Sequence, residues 1–245
     1  MNGSFKPIIL LISEGILSPD LIIDDESGYR IIHLIAHFGK VKALQALVTK
    51  LKADVNLADA LGQTAIHLAA LSGEIEILRY LASLSKPNIS VNHPLELEMR
   101  DKLGATPLLN AVKGSQFVAF LFLLYSKNAD LNTHDYTGNT ALHIAAFNNS
   151  KSFLELLLVH TKVDINAVDN NNVTPLMRAI YSSAYNAVKI LLRFNPDITI
   201  PNDKGVAPKE YAKRYFKDSD GIYSKILPAI ERHEVQEVVD EIDSF

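Results

Sequence analysis

The chain has 245 residues, with 24 Lys or Arg against 28 Asp or Glu, and neither Cys nor Trp. The net charge of -4 is spread along the chain, which excludes the dense basic face that a nucleic-acid partner requires. The absence of cysteine excludes disulfides, thiolate chemistry and Cys-bound zinc, while 48% hydrophobic residues rule out a chain disordered by composition.

The N-terminal stretch "SFKPIILLISEGIL" carries an apolar core, Ile8 to Ile12, that Ser13 and Glu14 interrupt. It is shorter than the roughly seven apolar residues a secretory signal needs. No run approaches the ~18 apolar residues of a membrane span. The expectation is a soluble protein in a reducing cytoplasm, with no cleaved signal and no membrane partner. Residues 1–24 are predicted to form an N-terminal cap helix.

A repeat follows. Gly28, Gly62, Gly104, Gly138 and Gly205 mark its register, with Asn172 in place of one Gly, at spacings of 34, 42, 34, 34 and 33 residues. Behind the markers come "RIIHLIA", "TAIHLAA", "TPLLNAV", "TALHIAA", "TPLMRAI" and "APKEYAK". Units are predicted at 25–58, 59–100, 101–134, 135–168 and 169–201, followed by a degenerate unit or cap at 202–232 and an acidic tail at 233–245. No linker is visible, so one domain over 1–245 is expected.

Each unit reads as a turn and two helices. Asp135 to Gly138 is a turn in which Gly supplies the positive φ. Thr140, like Thr64, Thr106 and Thr174, can cap the first helix through its hydroxyl. Pro107 and Pro175 stand in a first helical turn, where the missing N–H costs nothing. Ala145 and Ala146 are small enough for a neighbouring helix to approach. "SFLELLLVH" gives the second helix its stripe of Phe153, Leu154, Leu157 and Leu158. Asn128 and Asn195 suit a left-handed helix end, whereas Lys52 and Lys162 predict looser ends.

These strings resemble the ankyrin repeat, whose signature is T-P-L-H-x-A. The resemblance covers some four fifths of the chain. It implies an all-α solenoid of stacked helix-turn-helix units, joined by β-turn tips around a concave groove. It also implies a non-enzymatic, monomeric module that binds a protein partner and needs no cofactor.

His33, His67 and His143 recur at one register position. Packed helices in adjacent layers lie about 8–10 Å apart, so histidines on successive layers are not expected to share a zinc ion, which binds nitrogen at about 2.0–2.1 Å. A structural role at the turn-to-helix junction is expected, and no metal site. His37 and His160 fall at solvent-facing or groove places. Lys40, Lys42, Lys50 and Lys52 read as a solvated helix face.

Partner contacts are expected at the tips and just after the small pair of each first helix. The tip candidates are Tyr29, Leu61, Leu103, Tyr136, Asn139 and Asn170; the groove candidates are His37, Leu71, Lys113, Phe147 and Tyr181. Exposed apolar and aromatic residues favour a partner surface; the alternative is that some fold inward. An insertion, His93 to Arg100, places Leu95, Leu97 and Met99 in strand-like alternation. It reads equally as a contact loop or a neutral insertion. The family resemblance further implies Asn56, Asn132 and Asn166 as hydroxylation acceptors.

No nucleophile elbow, phosphate-binding loop or cysteine nucleophile is present, so an enzyme with an unfamiliar site is the lesser alternative. The tail "ERHEVQEVVDEIDSF" reads either as a final helix on the cap or as a partner or export segment. Its composition is similar to that of effectors that intracellular bacteria inject by type IV secretion. A resident scaffold or regulator and such an effector both remain open.

Overall fold

Thr in extended backbone ends four of the turns, and the next residue enters the helical region. Thr64, Thr106, Thr140 and Thr174 take ψ of 174, 165, 172 and 164°, and helices begin at Ala65, Pro107, Ala141 and Pro175. A computed structural model of the chain describes residues 6–84, 98–127, 130–160, 163–215 and 226–233. Two compact units result, Met1–Asp130 and Leu131–Phe245.

In the first unit α1 spans Lys6–Ser13 among the described residues. The expected cap helix over 1–24 stops there because Gly15 turns left-handed, at φ 74°, and Pro19 follows. The chain returns as β1 (Ile22–Asp24), antiparallel to β2 (Tyr29–Arg30), with Ile22 opposite Arg30, Asp24 opposite Tyr29 and an irregularity between them. Three helix pairs come next: α2 (Ile31–His37) with α3 (Val41–Thr49), α4 (Ala65–Ser72) with α5 (Ile75–Ser83), and α6 (Pro107–Lys113) with α7 (Phe117–Lys127).

The first helices form one layer, with α2 against α4 and α4 against α6; the second helices form another, α1, α3, α5 and α7 in order. Small residues allow the first layer its close approach: Ala36, Ala69, Ala70 and Ala111 are fully buried. Larger side chains fill the space between layers, among them Leu44, Leu47, Ile77, Leu78, Leu81 and Phe120. Each such side chain contributes about 1.5–3 kcal/mol relative to exposure.

The second unit repeats the scheme with α8 (Ala141–Phe147) and α9 (Lys151–His160), then α10 (Pro175–Tyr181) and α11 (Tyr185–Leu192), then α12 (Pro208–Tyr215). Here α8 packs on α10, α10 on α12, and α9 on α11. Phe153, Leu154 and Leu157 of the predicted stripe are buried, and Leu158 is half-buried. Residues 226–233 form a further helix that buries Ile226 and Ile230.

One expectation about helix ends is corrected. Asn195 takes the left-handed conformation at φ 49°, but so does Lys52, at φ 60°. Lys52 therefore closes its helix as glycine or asparagine would, at a steric cost of about 1–2 kcal/mol, instead of leaving a loose end. Asn128 and Lys162 lie outside the described residues. Among the described residues no helix is long and apolar enough to cross a membrane.

Candidate partner-binding surface

The tips are built around buried acceptors. Asp59, Asp101, Asp135, Asp169 and Asn202 are buried, and in each Oδ1 accepts from the backbone N–H groups two and four residues on, at 2.8–3.0 Å. Each also donates its own N–H to the carbonyl four residues on. The loop so closed needs one left-handed residue, supplied by Gly62, Gly104, Gly138, Asn172 and Gly205.

Successive tips are then tied together. Ala60 N–H donates to Ser27 O, Lys102 N–H to Leu61 O, Asn170 N–H to Thr137 O and Asp203 N–H to Asn171 O, at 2.8–3.1 Å. These bonds tie the backbone of one tip to that of the next.

The recurrent histidines reach carbonyls at the end of their own unit or in the next one. His33 Nε2 meets Leu57 O at 2.9 Å, His67 Nε2 meets Met99 O at 3.0 Å and Ala105 O at 3.2 Å, and His143 Nε2 meets Val173 O at 2.9 Å. A carbonyl can only accept, so Nε2 carries the proton and Nδ1 is the acceptor. Nδ1 accepts from the backbone N–H of Arg30, Thr64 and Thr140, and from the hydroxyls of Thr64 and Thr140. Thr106 and Thr174, with no histidine three residues on, use the hydroxyl to accept from Leu109 and Met177 N–H. Thr64 and Thr140 form reciprocal capping boxes with His67 and His143, so all four threonine hydroxyls face the first turn of their helices. Burial pushes all three histidine pKa values below the ordinary range, against the raising influence of the carbonyls and of nearby aspartates. Among the described residues no His, Asp or Glu cluster is placed to hold a metal ion.

Among the tip candidates, Leu61, Leu103 and Tyr136 are 57, 60 and 63% exposed. Tyr29 is half-buried, its ring edge-on to His33 at 5.6 Å. Asn139 is half-buried and donates to Thr137 Oγ1 at 2.6 Å; exposed Asn170 donates to Tyr136 O at 2.8 Å. These bonds bring Tyr136, Asn139 and Asn170 into one patch. At the first-helix ends Phe147 and Tyr181 are 48 and 53% exposed, on the packed pair α8 and α10. His37 is exposed, 2.7 Å from the Ser72 hydroxyl and edge-on to Phe38. Leu71 and Lys113 are half-buried.

Leu95 and Leu97 of the insertion lie outside the described residues. Met99 is half-buried, and its carbonyl is one of the two that His67 meets. Asn132 is exposed, whereas Asn56 and Asn166 are half-buried; Asn166 Oδ1 accepts from Asp197 N–H at 2.8 Å. Sequence reasoning passed over Phe38, an exposed aromatic beside His37, and Arg178, whose guanidinium pairs with buried Asp169 at 2.5 Å. Phe38 was legible as the residue just after a groove position; Arg178 lies on no repeat consensus and left no signal.

The family model for ankyrin repeats (3 copies) matches this chain over residues 1–94, 32–135, 89–169 and 108–202. A putative ankyrin repeat protein of Fowlpox virus (strain NVSL) is 32% identical over 135 residues, which is 53% of this chain and 38% of that protein. A putative ankyrin repeat protein of Rickettsia bellii (strain RML369-C) is 32% identical over 39% of this chain and 53% of its own length. The matched stretches span between 4% and 53% of the length of the curated relatives. Among solved structures, the ankyrin repeat domain of Bcl-3 aligns with a TM-score of 0.68 at 25% identity, covering 92% of this chain and 91% of that one. A chain in the complex of the Bdellovibrio bacteriovorus predatory endopeptidase Bd0816 with the immunity protein Bd3460 also aligns, with a TM-score of 0.68 at 23% identity, covering 83% and 98%. The chain belongs to the ankyrin repeat family.

Proposed function

We propose that the chain is a non-enzymatic scaffold, adaptor or regulator that engages a partner protein through its turn tips and the exposed ends of its first helices. One observation carries this reading: Leu61, Leu103, Tyr136, Phe147 and Tyr181 stand exposed at places where the fold makes no demand for an apolar residue. Aromatic side chains in such places are favoured binding hot spots. The tips beneath Leu61, Leu103 and Tyr136 are each closed on a buried aspartate and bonded to a neighbouring tip, so binding would order little backbone and lose little entropy. The solved endopeptidase–immunity protein complex supports the reading by showing a chain of this fold in a complex between proteins.

The test is a pull-down from a lysate of the source cells, repeated with Tyr136, Phe147 and Tyr181 changed to Ala. Loss of a captured partner, with the melting temperature unchanged, is the expected result. Partners retained by the triple variant would remove the assignment.

A second reading rests on the Rickettsia bellii relative: an effector delivered by an intracellular bacterium into a host cell. Residues 233–245 would then act as the export segment. A translocation assay with and without those residues decides it, since delivery that survives their removal defeats this reading and leaves the first intact.

A further inference from the structure

The second unit holds a cavity of about 400 Å³, bounded by residues of 131–134, 138–140 and 163–170. Its size is at the lower end of ligand cavities. Asn132, His134, Asp164, Val168 and Asn170 on its wall are exposed, so it opens to solvent.

The apolar part of the wall is Leu131, Val163, Ala167 and Val168, the last 42% exposed. The polar part presents acceptors. Asp164 is the one carboxylate on the wall; its Oδ1 accepts from Asn166 N–H at 2.9 Å, and among the described residues no cation pairs with it. Buried Asp169 differs, since Arg178 neutralises it. The Asn170 amide N–H₂ donates to Tyr136 O, which makes its Oδ1 the accepting end.

We infer that this cavity seats a basic side chain, arginine or lysine, projecting from the partner protein proposed above. The chemistry is complementary in three respects. A guanidinium or ammonium is a donor without acceptors, and the polar wall offers acceptors. The long methylene stem of such a residue lies readily along apolar surface while its head stays polar. The charge of Asp164 favours a cation and repels a carboxylate or phosphate. The inference rests on the reading of the chain as a protein-binding module and adds the chemistry of one contact.

The experiment uses the full chain with labelled methyl groups, titrated with acetyl-Ala-Arg-Ala-amide and with the norleucine and glutamate counterparts, and followed by NMR. Saturable shifts of the Leu131, Val163 and Val168 methyls at millimolar arginine peptide are expected. The norleucine peptide should bind at least fivefold more weakly, and the glutamate peptide should produce no saturable shift. Asp164→Asn should weaken the arginine peptide at least threefold without moving the melting temperature. Absence of saturable shifts, equal response to norleucine, or indifference to Asp164→Asn would each overturn the inference. The pull-down with Tyr136, Phe147 and Tyr181 changed to Ala reports on the apolar surface instead. If it loses the partner while the arginine peptide fails to bind, the cavity assignment falls alone; if the reverse holds, the apolar surface falls alone.

Discussion

His143 donates from Nε2 to the carbonyl oxygen of Val173 at 2.9 Å, joining residues 30 apart in sequence and adjacent units of the repeat. His33 and His67 make the same kind of bond to Leu57, and to Met99 and Ala105. In each ring Nδ1 already accepts from backbone, so protonation there would break the junction at the helix start. The folded-state pKa of all three is held below the unfolded value near 6.5, chiefly by burial. Below pH ~6.5 the unfolded chain therefore binds protons that the folded chain refuses. Stability should be fully present above that pH and fall as the pH drops, by up to about 1.4 kcal/mol per pH unit for each histidine. Urea unfolding at pH 7.5 and pH 5.5 measures this, in a window above the titration of ordinary carboxylates. His143→Gln should lower stability at pH 7.5 and flatten the pH dependence; equal slopes in variant and wild type would show that His143 does not titrate with folding.

Two glycines separate conformational need from close approach. Gly138 lies at φ 83°, and a Cβ there would stand 2.7 Å from Asn170 N. Gly205 has a similar φ of 69° but would meet nothing within 4 Å. Gly205→Ala should cost only the left-handed conformation, about 1–2 kcal/mol. Gly138→Ala should cost clearly more, because the next tip's backbone must move and its bond to Thr137 stretch. Chemical denaturation of both variants gives the comparison. Equal losses would mean that tip-to-tip contact adds nothing to the demand for glycine at Gly138.

The repeat was legible because its markers are local. Gly62, Gly138, the threonines and the paired alanines report backbone conformation and close packing at their own positions, and five copies in register leave one fold class. What could not be read concerns partners distant in sequence. A histidine at helix position three predicts a bond to its own turn, but not that its other nitrogen reaches the carbonyl of Val173 or, through the insertion, Met99. Lys52 was misread because a positive side chain says little about φ; its left-handed conformation is imposed by the chain's return to Ala53, whose N–H bonds Leu47 O. The strand Ile22–Asp24 was hidden in a segment whose apolar residues fit helix and strand alike. At the candidate surface, exposure of Tyr136, Phe147 and Tyr181 followed from register. The cavity beside Asp164 did not, since it depends on how three loops meet.

Asn149 shows how far such dependence extends into stability. It sits at φ 53° between α8 and α9, and its Oδ1 accepts from Ala187 N–H at 2.9 Å. Ala187 is the third residue of α11, whose own N-cap, Ala184, has no side-chain acceptor. A residue of one repeat thus caps the second helix of the next. Removing an N-cap acceptor costs typically about 1 kcal/mol, and alanine also suffers more than asparagine in the left-handed conformation. Asn149→Ala should therefore lose about 1–3 kcal/mol by urea unfolding with an unchanged slope. Asn149→Asp keeps the acceptor and sets a negative charge at the positive end of α11, so it should remain within about 0.5 kcal/mol of wild type. Hydrogen exchange at the Ala187 amide provides the local reading, faster in the alanine variant and unchanged in the aspartate variant. If both variants lose the same stability and exchange alike, the side-chain acceptor is not what holds α11, and the role of Asn149 reduces to its tolerance of a positive φ.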